Sequence, residues 1–148
     1  MPTTGQSAQL PDLPLSGMLV THLEGYRYDE SGLKVWVSQQ QEANYVCCQF
    51  SFASPAAFAV EVEHLDFIGG LKADAGFHTA AVAISSESDL LNRIHETARE
   101  NDLDDSSAQL HVRIYAREFV VNVVCAATPI VTSMSEPPPG ALFGPRLS

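Results

Sequence analysis

Along most of the central chain, apolar and polar residues alternate one by one, a period of two that predicts strands with one buried face. Over 18–28 one set holds Met18, Val20, His22, Glu24, Tyr26 and Tyr28, and the other Leu19, Thr21, Leu23, Gly25 and Arg27. Asp29-Glu30-Ser31-Gly32 then reads as a turn in which Gly32 supplies a positive φ, and Leu33, Val35 and Val37 alternate with Lys34, Trp36 and Ser38 on the return. A polar connection over 39–44 leads to a third strand at 45–52, where Val46, Cys48, Phe50 and Phe52 share a face and Ser54-Pro55 ends the run. Phe58, Val60 and Val62, set against Ala59, Glu61 and Glu63, predict a fourth. Beyond Gly69-Gly70, residues 77–84 read two ways, the alanines favouring helix and Thr79, Val82 and Ile84 favouring strand, and they are assigned to strand with the helix left open. Residues 109–115 and 118–125 form a closing pair around Ala116-Arg117, and 129–132 is a short edge segment because Pro129 cannot donate to a central ladder.

One stretch breaks the alternation. Over 87–101, Leu90, Leu91, Ile94 and Ala98 recur at helical spacing against Asn92, Arg93, Glu96 and Arg99, with Ser86 as cap and Asp89 as its capping-box partner. Asp102, Asp104 and Asp105 follow it, and acids at a helix C-terminus oppose the dipole and promote fraying. The expected fold class is therefore α+β: mainly an antiparallel β-sheet of about six or seven strands with one amphipathic helix packed on it. Proline at positions 2, 11 and 14, and the run Pro137-Pro138-Pro139-Gly140, divide the chain into a flexible N-terminal tail at 1–16, a single domain at 17–134 and a Pro/Gly-rich tail at 135–148.

Composition narrows the function classes. A chain of 148 residues, 45% of them hydrophobic, buries enough surface to fold without metal or disulfide staples. Eight Lys and Arg against 18 Asp and Glu give a formal charge of −10, which opposes the cationic footprint nucleic acid requires and suits a basic protein partner. Three cysteines, with Cys47 and Cys48 adjacent, make no paired framework and point to a reducing, cytoplasmic setting. The richest apolar run, 119–127, is about half a membrane span and contains Asn122, so no membrane segment is expected.

Motifs with chemistry are sparse. No phosphate-binding glycine loop, nucleophile elbow, zinc-ligand pair of CxxC type or calcium loop occurs. The candidate catalytic set is Cys47 with His64 and Asp66, since a thiol becomes a nucleophile only when a neighbouring base makes the thiolate. The candidate metal set is His22 and Glu24, His64 and Asp66, with His78 and His111 available to complete it, because an H-x-E or H-x-D pair places two ligands on one strand face. Tyr26, Tyr28 and Trp36, across one hairpin, are the candidate interaction residues, forming an exposed aromatic patch.

The expectation is a non-enzymatic, acidic protein-interaction domain without cofactor, binding a basic protein and forming a homodimer through its strand edges. Its rhythm of hairpin, acidic middle strand, single helix and closing strand pair is similar to that of many small proteins, among them toxin-neutralising immunity proteins. Two alternatives compete with it. One is a small metal-dependent or Cys/His hydrolase using the residues above; the other is a small-molecule module with a closed apolar cavity between helix and sheet.

Overall fold

A computed structural model describes residues 7–8, 13–16, 19–62, 82–117 and 119–138. They form β1 (Ser7–Ala8), β2 (His22–Asp29), β3 (Gly32–Gln41), β4 (Asn44–Phe52), β5 (Ala57–Val62), β6 (Val82–Ser85), α1 (Asp89–Glu100), β7 (Leu110–Tyr115), β8 (Phe119–Cys125) and β9 (Ile130–Met134). The class is α+β, as the alternation predicts, with the strands divided over two antiparallel sheets: β1-β6-β7-β8-β5, here sheet A, and β2-β3-β4-β9, sheet B. Each period-two strand leaves its sheet one apolar face, and stacking the two faces buries both. Leu33, Val35, Cys48, Phe50 and Phe52 from sheet B thus share one core with Val82, Val112, Ile114, Val121 and Val123 from sheet A. The helix lies on the outer face of sheet A, where Leu91 packs with Ala108 and Val124. No helix among the described residues is long and apolar enough to cross a membrane.

Turn chemistry sets the registers. Between β2 and β3, Asp29 Oδ1 accepts from the Ser31 amide at 2.9 Å and hydroxyl at 2.6 Å, and Gly32 takes φ +107°, as expected for the turn. The polar connection expected over 39–44 is shorter than anticipated. Gln39, Gln40 and Gln41 pair with Val46, Tyr45 and Asn44, leaving a two-residue turn at Glu42 and Ala43. A polar side chain does not prevent a backbone from joining a ladder, which is why three glutamines read as a loop.

The helix begins two residues later than expected. Ser85 Oγ is engaged by the Glu87 amide and carbonyl, and the cap is Ser88, whose Oγ accepts from the Leu91 amide at 3.1 Å. At its other end Asp102 adopts φ 54°, and the Leu103 amide reaches back to the Ala98 carbonyl at 2.8 Å. This is the left-handed helix stop that glycine usually fills.

Part of the stretch assigned to the N-terminal tail belongs to the body. Ser7 and Ala8 pair with Ser85 and Ile84, and Leu15 is buried in the shared core. Gln39, itself fully buried, holds this segment: its Oε1 accepts from the Ser16 amide at 2.8 Å and its Nε2 donates to the Ser16 carbonyl at 2.7 Å. Of the strand expected over 77–84, residues 77–81 lie outside the described residues, and β6 carries the remainder.

Candidate functional site

Among the described residues the sequence candidates do not gather at one place. A bulge in β2 between Leu23 and Gly25 shifts the pairing, so His22 lies opposite Ser38 while Tyr26 and Tyr28 lie opposite Val35 and Leu33. The bulge therefore separates what continuous alternation put together: His22 and Glu24 are on the outer face of sheet B, and the two tyrosines on the inner side. Glu24 is buried and accepts a short hydrogen bond from the Ser38 hydroxyl. His111 lies on the outer face of sheet A, with both sheets between it and His22. His64 and Asp66 lie outside the described residues, as does His78. Among the described residues no three His, Cys, Asp or Glu side chains are placed to hold a metal ion.

Cys47 sits on the outer face of sheet B opposite Ser38, while Cys48 faces the core. Burial, reinforced by the Glu24 carboxylate, pushes the Cys47 thiol up, and burial raises Cys48 to about 11. Both are thus held as thiols, the form that does not attack.

Trp36 is placed otherwise than the aromatic-patch reading requires. It is 0% exposed, against 37% for Tyr26 and 59% for Tyr28, and occupies the opposite face of the hairpin from them. Its indole donates to Gln49 Oε1 at 3.0 Å and the Arg27 guanidinium carbon stands 5.7 Å from its ring centroid. Long side chains on the flanking strands cover an aromatic ring with their apolar stems, which strand alternation alone does not reveal. The tyrosines instead meet Phe58 of β5, at centroid separations of 6.2 and 5.4 Å, where an edge of each sheet meets along one flank.

Two arrangements were not anticipated. The first is a buried polar chain on the outer face of sheet A. Asn122 Nδ2 donates to Glu61 Oε1 at 2.6 Å, so its Oδ1 is turned to His111 Nε2 at 2.7 Å and accepts from it. With the proton on Nε2, His111 Nδ1 accepts from the Ser88 hydroxyl at 2.8 Å, and that oxygen accepts from the Leu91 amide. Burial holds the imidazole below its ordinary value, against the opposing effect of the Asn122 bond. A neutral histidine with both nitrogens engaged locks the helix start to β7, β8 and β5. Beside it, buried Arg113 stands 5.1 Å from the Tyr115 ring centroid. The sequence signal was present in the polar residues His111, Arg113 and Asn122 inside otherwise apolar strands, two of which, Arg113 and Asn122, pair directly across the ladder.

The second is a groove of about 530 Å³ between α1 and the segment that returns from it to β7. Leu90, Ile94, Ala98 and Ala108 make its apolar wall, and Leu103, Asp104, Asp105 and Arg93 also line it. The helix stop at Asp102 turns the chain back, and the Ala108 carbonyl accepts from His95 Nε2, which holds the returning segment against the helix. Leu103 is 63% exposed between acids, and Asp104 accepts from the Ser106 amide at 2.9 Å, which holds its carboxyl below the ordinary carboxylate value. Such a surface can receive an apolar side chain and place cationic groups against its carboxylates. No family model, curated protein or solved structure matches this chain.

Proposed function

We propose that the protein is a non-enzymatic, acidic interaction domain that receives an apolar-anchored, basic segment of a protein partner in the groove beside α1, in an accessory or immunity-like role. The carrying observation is the groove itself, which joins an apolar wall to Asp104 and Asp105 in a chain of net charge −10. Its volume is in the range that holds a few side chains, and long-range attraction to a cationic partner speeds encounter. Three buried, unpaired cysteines support a reducing, cytoplasmic setting. The chain is also proposed to act as a homodimer, since sheet edges left open invite pairing.

The test is titration with a short amphipathic Leu/Lys peptide, with a Leu/Glu peptide of the same spacing as control, followed by amide chemical-shift mapping. Binding of the Leu/Lys peptide with shifts centred on Ile94, Leu103 and Ala108 is expected, weakened about tenfold in the Asp104→Asn/Asp105→Asn variant and by added salt. Equal binding of both peptides, shifts elsewhere, or no loss in the double variant would overturn the groove assignment. An apolar dye filling the groove where neither peptide binds would transfer it to the small-molecule reading.

A further inference from the structure

Among the described residues four strands stand at sheet edges, and they are not protected alike. At the edge of sheet B, β2 carries a bulge and the charged residues Arg27 and Asp29. In sheet A, β1 is two residues long, and β5 carries Glu61. Short strands, bulges and charges are the devices that keep an edge from pairing with another chain. β9, five residues long, has neither bulge nor charge, and Pro129 stands just before it rather than within it. Its sequence is Ile-Val-Thr-Ser-Met, without charge, proline or glycine, it pairs with β4 through one edge, and no described strand lies at the other. Ile130 is 71% exposed, and Thr132 and Ser133 are exposed as well.

We infer that two copies of this chain join edge to edge through β9, antiparallel about a two-fold axis at Thr132, so that sheet B continues across the dimer. This rests on the proposal of self-association and supplies its surface. A second copy is the occupant for three reasons. An edge strand paired antiparallel with itself closes under two-fold symmetry, satisfying both ladders without leaving a further edge for a third chain at that site. Each copy carries −10, so self-pairing requires a surface without charge, and among the edge strands longer than two residues β9 is the one that supplies it. With the axis at Thr132, Ile130 of each copy lies opposite Met134 of the other. These residues share the outer face, because they pair with Ser51 and Cys47 of β4, and the exposed isoleucine thereby gains an apolar cross-strand neighbour. The same register sets Glu136 against Thr128, keeping the two Glu136 carboxylates apart.

Sedimentation equilibrium of the full chain, compared with Ile130→Lys and Thr132→Lys variants, tests this. A dimeric wild type, with dissociation constants raised at least about tenfold in both variants and unfolding midpoints at monomer-level concentration close to wild type, is expected. Both positions are exposed, so the variants retain the fold, and circular dichroism checks that they do. A wild type that stays monomeric overturns self-association and this inference together. A wild-type dimer that both lysine variants leave intact overturns the β9 assignment alone. A Thr132→Cys variant reports the axis independently: rapid formation of a disulfide-linked dimer under mild oxidation is expected, because Thr132 faces its own copy, and its absence in a dimeric sample overturns the register.

Discussion

Single residues here are constrained more by backbone approach and hydrogen-bond direction than by size. At Gly32 a Cβ would stand 2.2 Å from the Phe52 carbonyl oxygen, in a backbone at φ +107°. Gly32→Ala is therefore expected to cost more than about 2 kcal/mol, read as a lowered urea midpoint, since neither the strain nor the clash can relax through a flexible side chain. Asn122 is constrained by direction, since its amide must donate to Glu61 and accept from His111 at once. Asn122→Leu keeps the volume but leaves a buried Nε2–H without its acceptor, an expected loss of about 2–3 kcal/mol in denaturant unfolding. The turn glycine was legible from Asp-Glu-Ser-Gly between alternating runs. The role of Asn122 was not, because a polar residue in a strand declares its need for a partner without naming it.

At the scale of elements, α1 is defined by its ends. Ser88 both caps the helix and donates to His111, so Ser88→Ala removes a cap bond worth about 1 kcal/mol and orphans a buried ring nitrogen. A total loss of about 2–3 kcal/mol is expected, with Ser88→Thr retaining most of the stability because it keeps the hydroxyl. A small effect of Ser88→Ala would show that the polar chain is not the lock described. At the C-terminus, Asp102 places an acid against the helix dipole in a left-handed conformation. Asp102→Asn removes the charge and suits φ 54°, so a gain of about 0.5 kcal/mol is expected in the same measurement. Helical spacing revealed the element. It missed the cap by two residues because three serines, Ser85, Ser86 and Ser88, compete there, and which one faces the Leu91 amide depends on where β6 ends.

For the molecule as a whole, titration of His111 couples folding to pH. Its folded value lies below the unfolded one of about 6.5, so between the two the unfolded chain binds the proton that the folded chain refuses. Its contribution is intact above about pH 6.5 and is lost as pH falls through the folded value, so stability should decline from pH 7.5 to 5.5. Asp29 and Asp104, both held below 3.8, act in the same direction at lower pH. His111→Gln is expected to be less stable at pH 7.5 and flatter across that interval; an unchanged slope would show that another group carries it. Burial also raises Cys48 and Cys125 to about 11 each, so alkylation of native thiols at pH 7.5 should be at least about a hundredfold slower than in urea.

Taken alone, the sequence determined the class of the fold, most strands, the helix and the core-facing residues of β3 and β4, because side-chain alternation and helical spacing are local consequences of backbone geometry. Only the tertiary structure decided which strands share a sheet, that the bulge after Leu23 sends His22 and Tyr26 to opposite sides, and that Trp36 and His111 are covered on outer faces. These depend on non-local partners. A period of two states that a face exists, whereas what covers it is settled by chain segments distant in sequence, such as the helix that meets β7 and the strand that returns at Ile130 to pair with β4.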